Sequence, residues 1–103
     1  SIMALKAAFI FLSQDGNPEL HHNEVITDNV SVTTVAVRNY VEAASLATRL
    51  INQGIIAIEL CGGFGIEGVA MVKQAVKESA VVGVVRFDFH PGLAHQSGDA
   101  IFS

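Results

Sequence analysis

The chain has 103 residues, which is enough for one domain and too few for two. Half of the residues are hydrophobic and only 16% are charged, a balance that excludes an intrinsically disordered chain. Six basic residues against ten acidic ones give a net charge of −4, and no basic face of the kind that nucleic-acid-binding proteins carry is visible. No apolar run approaches the roughly 20 residues of a membrane-spanning helix. We therefore expect a single-domain, cytoplasmic protein that binds neither nucleic acid nor membrane. The lone cysteine, Cys61, agrees with a reducing compartment.

The first half of the chain contains two segments that are typical of strands. Ala4–Leu12 is a short, nearly continuous apolar run that ends in a cluster of turn-forming residues, as in a strand covered on both faces. Val30–Val37 is rich in β-branched residues, which favour extended backbone. Between them, Glu19–Asn29 has no clean period, and its conformation stays open. A crossover there would make the first strand parallel to the others, whereas its absence would leave that strand antiparallel.

Helices and strands alternate in the second half. Asn39, three residues before Glu42, has the spacing of a helix cap, and apolar residues repeat at helical spacing from Ala43 to Ile51. Gly54 follows this repeat at the position where glycine commonly ends a helix. The remaining predicted elements are a strand, a helix and a strand, at Ile55–Cys61, Ile66–Ser79 and Val81–Phe89. The apolar pair Ile101-Phe102 is expected to anchor the tail on this subunit or on a neighbour.

This alternation predicts an α/β fold with a small, mostly parallel four-stranded sheet in the order β-β-α-β-α-β. Two main helices should cover one face of the sheet. The strands nevertheless look buried on both sides, so a half-barrel shape or a second subunit must cover the other face. We favour a homodimer, because a chain this short buries only a modest fraction of its surface.

Titratable residues mark the carboxyl ends of two predicted strands, where parallel α/β sheets bind their ligands. Glu59 and Cys61 alternate on one strand, and Arg86, Asp88 and His90 alternate on the next. If both sets face the same side, they form one cluster. In a structural interpretation, Glu59 pairs with Arg86 and Asp88 orients His90. In a catalytic interpretation, Cys61 or His90 acts with Glu59 or Asp88 in a lyase, an isomerase or a hydrolase.

Gly62-Gly63-Phe64-Gly65 connects a predicted strand to a predicted helix. Backbone amides in such a turn can hold a phosphate or a carboxylate, with Arg86 adding charge. The alternative is a tight turn that needs glycine for its positive φ. The stretch has neither the Lys-Ser/Thr of a Walker loop nor the spacing of a dinucleotide fingerprint. No cofactor is indicated, and we expect no metal site, because the spacing of His90 and His95 is not diagnostic of one.

Two segments of the chain resemble those of a family of short bacterial proteins of unknown function. They are Glu59-Leu60-Cys61-Gly62-Gly63-Phe64-Gly65 and Arg86-Phe87-Asp88-Phe89-His90-Pro91-Gly92. The similarity runs over nearly the whole chain, and it implies that these segments define the family while assigning no reaction. The resemblance supports this choice of site residues and leaves the function open. From the glycine turn and the charged strand ends, we expect a small anionic or polar ligand, bound at the carboxyl ends of the strands in a homo-oligomer. An enzyme and a purely structural interaction module are the alternatives.

Overall fold

A mixed five-stranded sheet organises the fold. The computed structural model describes residues 4–103. Their elements are β1 (Leu5–Leu12), β2 (His22–Ile26), β3 (Val30–Val37), α1 (Tyr40–Asn52), β4 (Ala57–Leu60), α2 (Ile66–Val76), β5 (Val81–Val84), a 3₁₀ turn (Pro91–Leu93) and α3 (Asp99–Phe102). The strand order is β2-β3-β1-β4-β5, with β1 in the centre. β1 is parallel to β3 and to β4, and β4 is parallel to β5.

The predicted count of four strands was wrong, because the segment that the sequence left open forms β2. This strand pairs antiparallel with β3. A turn closes the hairpin, in which the Thr27 backbone N–H donates to the Val30 carbonyl and the Val30 N–H donates to Thr27 Oγ1. All five β2 residues are exposed, so no hydrophobic period marks the strand in the sequence.

Local signals set the bounds of the two main helices. The Asn39 side chain accepts from the Glu42 N–H at 2.9 Å, which confirms the predicted cap of α1. Gly54, just beyond the end of α1, has a φ of +91°, the left-handed conformation that favours glycine. The second helix stops at Val76, short of the predicted Ser79, because Lys77 leaves helical geometry with a φ of +51°.

The last strand is also shorter than the predicted Val81–Phe89. β5 is an edge strand, and its one neighbour, β4, offers only four residues, which pair with it one to one. Beyond β5, the Val85 N–H donates to the Leu60 carbonyl, and the ladder ends there. Residues 86–90 therefore lie outside β5, and strand alternation does not assign their side chains to a face of the sheet.

The sheet has one covered face and one face that we call the open face. Side chains of the covered face pack against α1 and α2 in the hydrophobic core, and they include Ala8, Ile10, Val35, Val37, Ile58 and Leu60. Strand alternation and the pairing register place the others on the open face. They are Leu5, Ala7, Phe9, Phe11, Asn23, Val25, Val30, Val32, Thr34, Ala57, Glu59, Val81 and Gly83. Ala36 has the same orientation but is buried, with Gly16 lying against its side chain. Both main helices lie on one side, as predicted.

The C-terminal segment packs against its own chain. Phe102 is buried, and its ring centroid lies 6.4 Å from that of Tyr40 at the start of α1. This confirms the first of the two expected locations for the Ile101-Phe102 anchor. Across residues 4–103, the helices are all too short or too polar to span a membrane.

Candidate functional site

The turn at residues 62–65 is held by contacts within the chain. The Phe64 ring is buried and stacks on Tyr40, with 5.5 Å between ring centroids. Three backbone N–H groups of the turn donate to groups of the protein itself: Gly63 to Cys61 Sγ at 3.3 Å, Phe64 to the Cys61 carbonyl at 3.0 Å, and Gly65 to the Tyr40 hydroxyl at 2.9 Å. These three donors are therefore already used in this conformation.

Close approach, and not positive φ, explains why the turn contains glycine. The left-handed φ expected for it was wrong, since among the described glycines only Gly54 has a positive φ. A Cβ at Gly62 would overlap the Phe87 ring, and one at Gly65 would overlap the Asp99 carboxylate. Neighbouring segments thus occupy the space that a side chain, or a ligand, would need.

A carboxylate of the chain itself lies at the N-terminus of α2. Asp99 Oδ1 accepts from the Tyr40 hydroxyl at 2.9 Å and from the Glu67 N–H at 3.2 Å. A negative charge is favourable at this end of a helix, which is where the sequence suggested an external anion. Burial raises the pKa of Tyr40 well above its usual value, and Asp99 raises it further, against the opposing Gly65 N–H. Sequence reasoning missed Tyr40 and Asp99, which lie 59 residues apart with no motif to connect them.

The titratable residues at the strand ends have separate partners. Arg86 Nε donates to Asp88 Oδ1 at 2.8 Å, in an ion pair with both side chains about 60% exposed. Arg86 thus pairs with Asp88 instead of Glu59, which lies exposed on the open face. His90 Nδ1 accepts from the Gly92 N–H at 3.0 Å, so a backbone group in place of Asp88 orients this ring. Both contacts of the structural interpretation were wrong.

Three of the predicted ligand-binding residues do come together. Phe64, Gly65 and Arg86 line a crevice of about 150 Å³, together with apolar residues of α2 and β5. This volume is below the roughly 300 Å³ at which pockets for small molecules begin. The crevice can therefore hold only a very small group.

A larger cavity, which we call the edge cavity, lies at the carboxyl end of β1. Its volume is about 420 Å³, within the range of ligand pockets. The lining residues come from the loop after β1 and from the C-terminal segment: Leu12, Ser13, Gln14, Gly92, Leu93, Ala94, Gln96, Ile101 and Phe102. The polar side chains among them are neutral, and none is basic. At the adjacent turn, the Ser13 hydroxyl donates to the Asp15 carboxylate and lowers the pKa of Asp15 below its usual value.

One wall of the edge cavity is a constrained loop. The His90 N–H donates to the Gln96 carbonyl at 3.1 Å, and the His95 N–H donates to the His90 carbonyl at 2.9 Å. Within this closed loop, Ala94 and His95 have φ values of +54° and +60°. A left-handed conformation costs a residue other than glycine about 1–2 kcal/mol. Two such residues in succession show that the surrounding contacts impose the shape of this wall.

The acidic residues, histidines and cysteine do not converge on a metal site. Within residues 4–103, no three of these side chains are placed to hold one ion.

Comparison with known proteins places the chain in a family. Searches of curated proteins and of solved structures gave no match. A family model described as "Family of unknown function (DUF6506)" matches residues 5–100. The match confirms the resemblance to a family of unknown function, and its span includes both segments named above. The protein is therefore a member of the DUF6506 family.

Proposed function

We propose that the protein binds a small, largely neutral polar molecule in the edge cavity. The observation that carries the proposal is the cavity itself: about 420 Å³ at the carboxyl end of the central strand, with polar and apolar groups in comparable amounts on its walls. Ligand pockets commonly combine apolar walls with a small number of orienting polar groups, and the larger polar share of this cavity suits a polar ligand. Ser13, Gln14 and Gln96 would supply these groups, and Leu93, Ile101 and Phe102 would contact the apolar part.

The charges around the edge cavity favour a neutral ligand over an anionic one. No basic side chain lines the cavity. An acidic residue, Asp15, comes next in the sequence after the lining residues Ser13 and Gln14. An anion would lose hydration without gaining a counter-charge. The glutamine amides can both donate and accept hydrogen bonds, which suits a ligand bearing an amide, a hydroxyl or a carbonyl. Binding of an anion at the turn of residues 62–65 stays the competing prediction. It is less favoured, because three N–H groups of that turn already donate to groups of the protein.

The enzyme alternative receives less support from the contacts. Because His90 Nδ1 accepts from the Gly92 N–H, a neutral imidazole carries its proton on Nε2. Neither nitrogen of that ring is then free to take a proton from Cys61 as a general base would. The thiol itself is half-buried and accepts from the Gly63 N–H. A catalytic role for Cys61, His90, Glu59 or Asp88 therefore stays a prediction without a described contact in its favour.

A nuclear magnetic resonance titration of the ¹⁵N-labelled protein tests the site. The probes are benzamide, benzoate, which has the same shape with a negative charge, and inorganic phosphate. Fragments of this size bind in the millimolar range, which the titration covers. We expect benzamide to shift the side-chain amide signals of Gln14 and Gln96 and the backbone signals of residues 92–94. Benzoate should shift them less.

A matched pair of variants separates the edge cavity from non-specific binding. Gln14→Ala removes a polar group of the lining and should weaken benzamide binding several-fold. Gln74→Ala removes an exposed glutamine of α2 and should leave binding unchanged. If no probe shifts signals around the edge cavity, the proposal is wrong. Phosphate shifts confined to residues 63–65 would instead support the anion site of the turn.

A further inference from the structure

The open face is too apolar and too large to suit permanent contact with water. Of the residues assigned to it, only Glu59 is charged, and Val25 and Val81 are each about two-thirds exposed. The five strands contain 8, 5, 8, 4 and 4 residues. At a rise of about 3.3 Å per residue and a spacing of about 4.8 Å between strands, they give a flat footprint of about 450 Å².

This footprint can support a dimer. Side chains standing on the sheet expose more area than the flat footprint, which brings the face towards the roughly 600–800 Å² per partner that specific interfaces bury. Contiguous apolar patches of more than a few hundred Å² are rare on monomers and mark interaction surfaces. Two sheets packing through such faces would lie about 10 Å apart with their strands nearly aligned, as in β-sandwiches.

We propose that the open face binds the open face of a second copy, with the two-fold axis running along β1. β1 is the middle strand, so this axis places β4 of one copy over β3 of the other, and β5 over β2. The rows of paired residues across the sheet show whether this arrangement fits. The row through Phe9 reads Asn23, Thr34, Phe9, Glu59, Gly83.

This row is complementary to its own reverse. The two-fold sets Glu59 over Thr34 of the second copy, so the one carboxylate of the face meets a hydroxyl that can donate to it. Asn23 lies over Gly83, where the missing side chain leaves room. Phe9 meets Phe9, and an aromatic pair at the centre of an interface is a favourable contact. The only charge of the row thus meets a polar partner instead of an apolar one.

The neighbouring row of paired residues is also complementary to its own reverse. It reads Val25, Val32, Ala7, Ala57, Val81. Under the two-fold, Val32 lies over Ala57, a larger side chain over a smaller one, and Val25 lies over Val81. Aligned sheets cross at about 30°, so the fit is closest near β1 and loosens towards the edges. Long side chains placed at positions 25 and 81 can still reach each other.

A charge-swap experiment tests both the face and the axis. Molar mass is measured by light scattering on the full chain at micromolar concentrations. The wild-type protein should show twice 10.9 kDa. Val25→Glu and Val81→Lys, each tested alone, put a charge against an apolar partner residue and should lower the dimer affinity at least tenfold. Combined in one chain, they oppose Glu to Lys at both ends of the row and should restore the dimer.

The control is Val41→Glu, since Val41 is as exposed as Val25 but lies on α1. This variant should remain dimeric. Circular dichroism shows whether each chain is folded, and recovery in the double variant is informative even if a single variant unfolds. A wild-type monomer throughout the concentration range overturns the proposal. Single variants that stay dimeric, or dissociation of Val41→Glu alone, exclude the open face, and failure of the double variant to recover excludes the axis along β1.

Discussion

Removing the Asp99 side chain should destabilise the protein more than the loss of an ordinary surface carboxylate. In Asp99→Ala, the Tyr40 hydroxyl loses the acceptor at 2.9 Å and the Glu67 N–H loses its cap. A buried donor left without a partner costs about 1–3 kcal/mol, and a lost helix cap costs about 1 kcal/mol. We expect the free energy of unfolding to fall by about 2–4 kcal/mol. This corresponds to a decrease in Tm of about 10–30 °C for a chain of this size.

Two further variants separate the charge from the hydrogen bonds. Asp99→Asn keeps an oxygen acceptor and loses only the interaction of the charge with the helix, about 0.5–1 kcal/mol. Tyr40→Phe leaves the buried Gly65 N–H without its acceptor and should cost about 1–3 kcal/mol. Because Asp99→Ala and Tyr40→Phe break the same bond, the double variant should lose about 1 kcal/mol less than the sum of the two.

Urea unfolding curves for this cycle provide the measurement, with Asp28→Ala as the control because Asp28 is an exposed aspartate in a turn. Its free energy of unfolding should change by less than about 0.5 kcal/mol. Equal losses for Asp99→Ala and Asp28→Ala, or strict additivity in the cycle, would refute the reasoning.

Three more predictions concern the surroundings of this network. Gly68→Ala should lower the free energy of unfolding in urea by about 1–3 kcal/mol, because a Cβ there overlaps the Tyr40 ring. Ala70→Gly, at an exposed position of the same helix, measures the helix-propensity difference between Ala and Gly alone, about 1 kcal/mol. A higher free energy of unfolding in Gly68→Ala than in the wild type would contradict the overlap with Tyr40. Tyr40 is the single tyrosine, and its raised pKa means that the folded state keeps a proton that the unfolded state releases near pH 10. Stability should therefore be unaffected by this group below pH 10 and fall above it, by at most about 1.4 kcal/mol per pH unit, with tyrosinate absorbance rising only on unfolding. Tyrosinate forming near pH 10 in the folded protein would contradict this. Arg86→Ala and Asp88→Ala should each change stability by less than about 0.5 kcal/mol in the same urea assay, because the pair is exposed; a larger loss would indicate a buried pair.

Elements that carry their signal in their own residues could be predicted from the sequence. The cap of α1 by Asn39, its apolar stripe and the β-branched run of β3 are local patterns, and each of these elements lies where it was expected. The ends of β5 and α2 depend instead on other segments or on a single backbone angle. A strand continues only as far as its neighbour offers groups to pair with, and β4 ends at Leu60.

The candidate site was less accessible to sequence reasoning, because tertiary contacts decide it. The expected cluster required a strand through His90, whereas β5 ends at Val84, so strand periodicity no longer places its members on one face. The edge cavity joins residues 12–14 to residues 92–102, segments that no motif relates. Tyr40 follows the helix cap Asn39, and no sequence pattern marks it as part of a site. Asp99 comes into contact with it only in the folded chain.

The two segments that carry the family resemblance contact each other, which changes how their glycines are understood. The Phe87 ring of the second segment occupies the space beside Gly62 of the first. The carbonyl of Gly63 likewise occupies the space beside Gly98 of the tail, where any Cβ would overlap it. A glycine that admits a ring or a carbonyl serves packing, and it needs no ligand to explain it. The glycine turn therefore holds the C-terminal segment against the end of the sheet, and the same segment forms one wall of the edge cavity. The ligand-binding role proposed for this region therefore rests on that wall of the edge cavity and not on the amides of the turn.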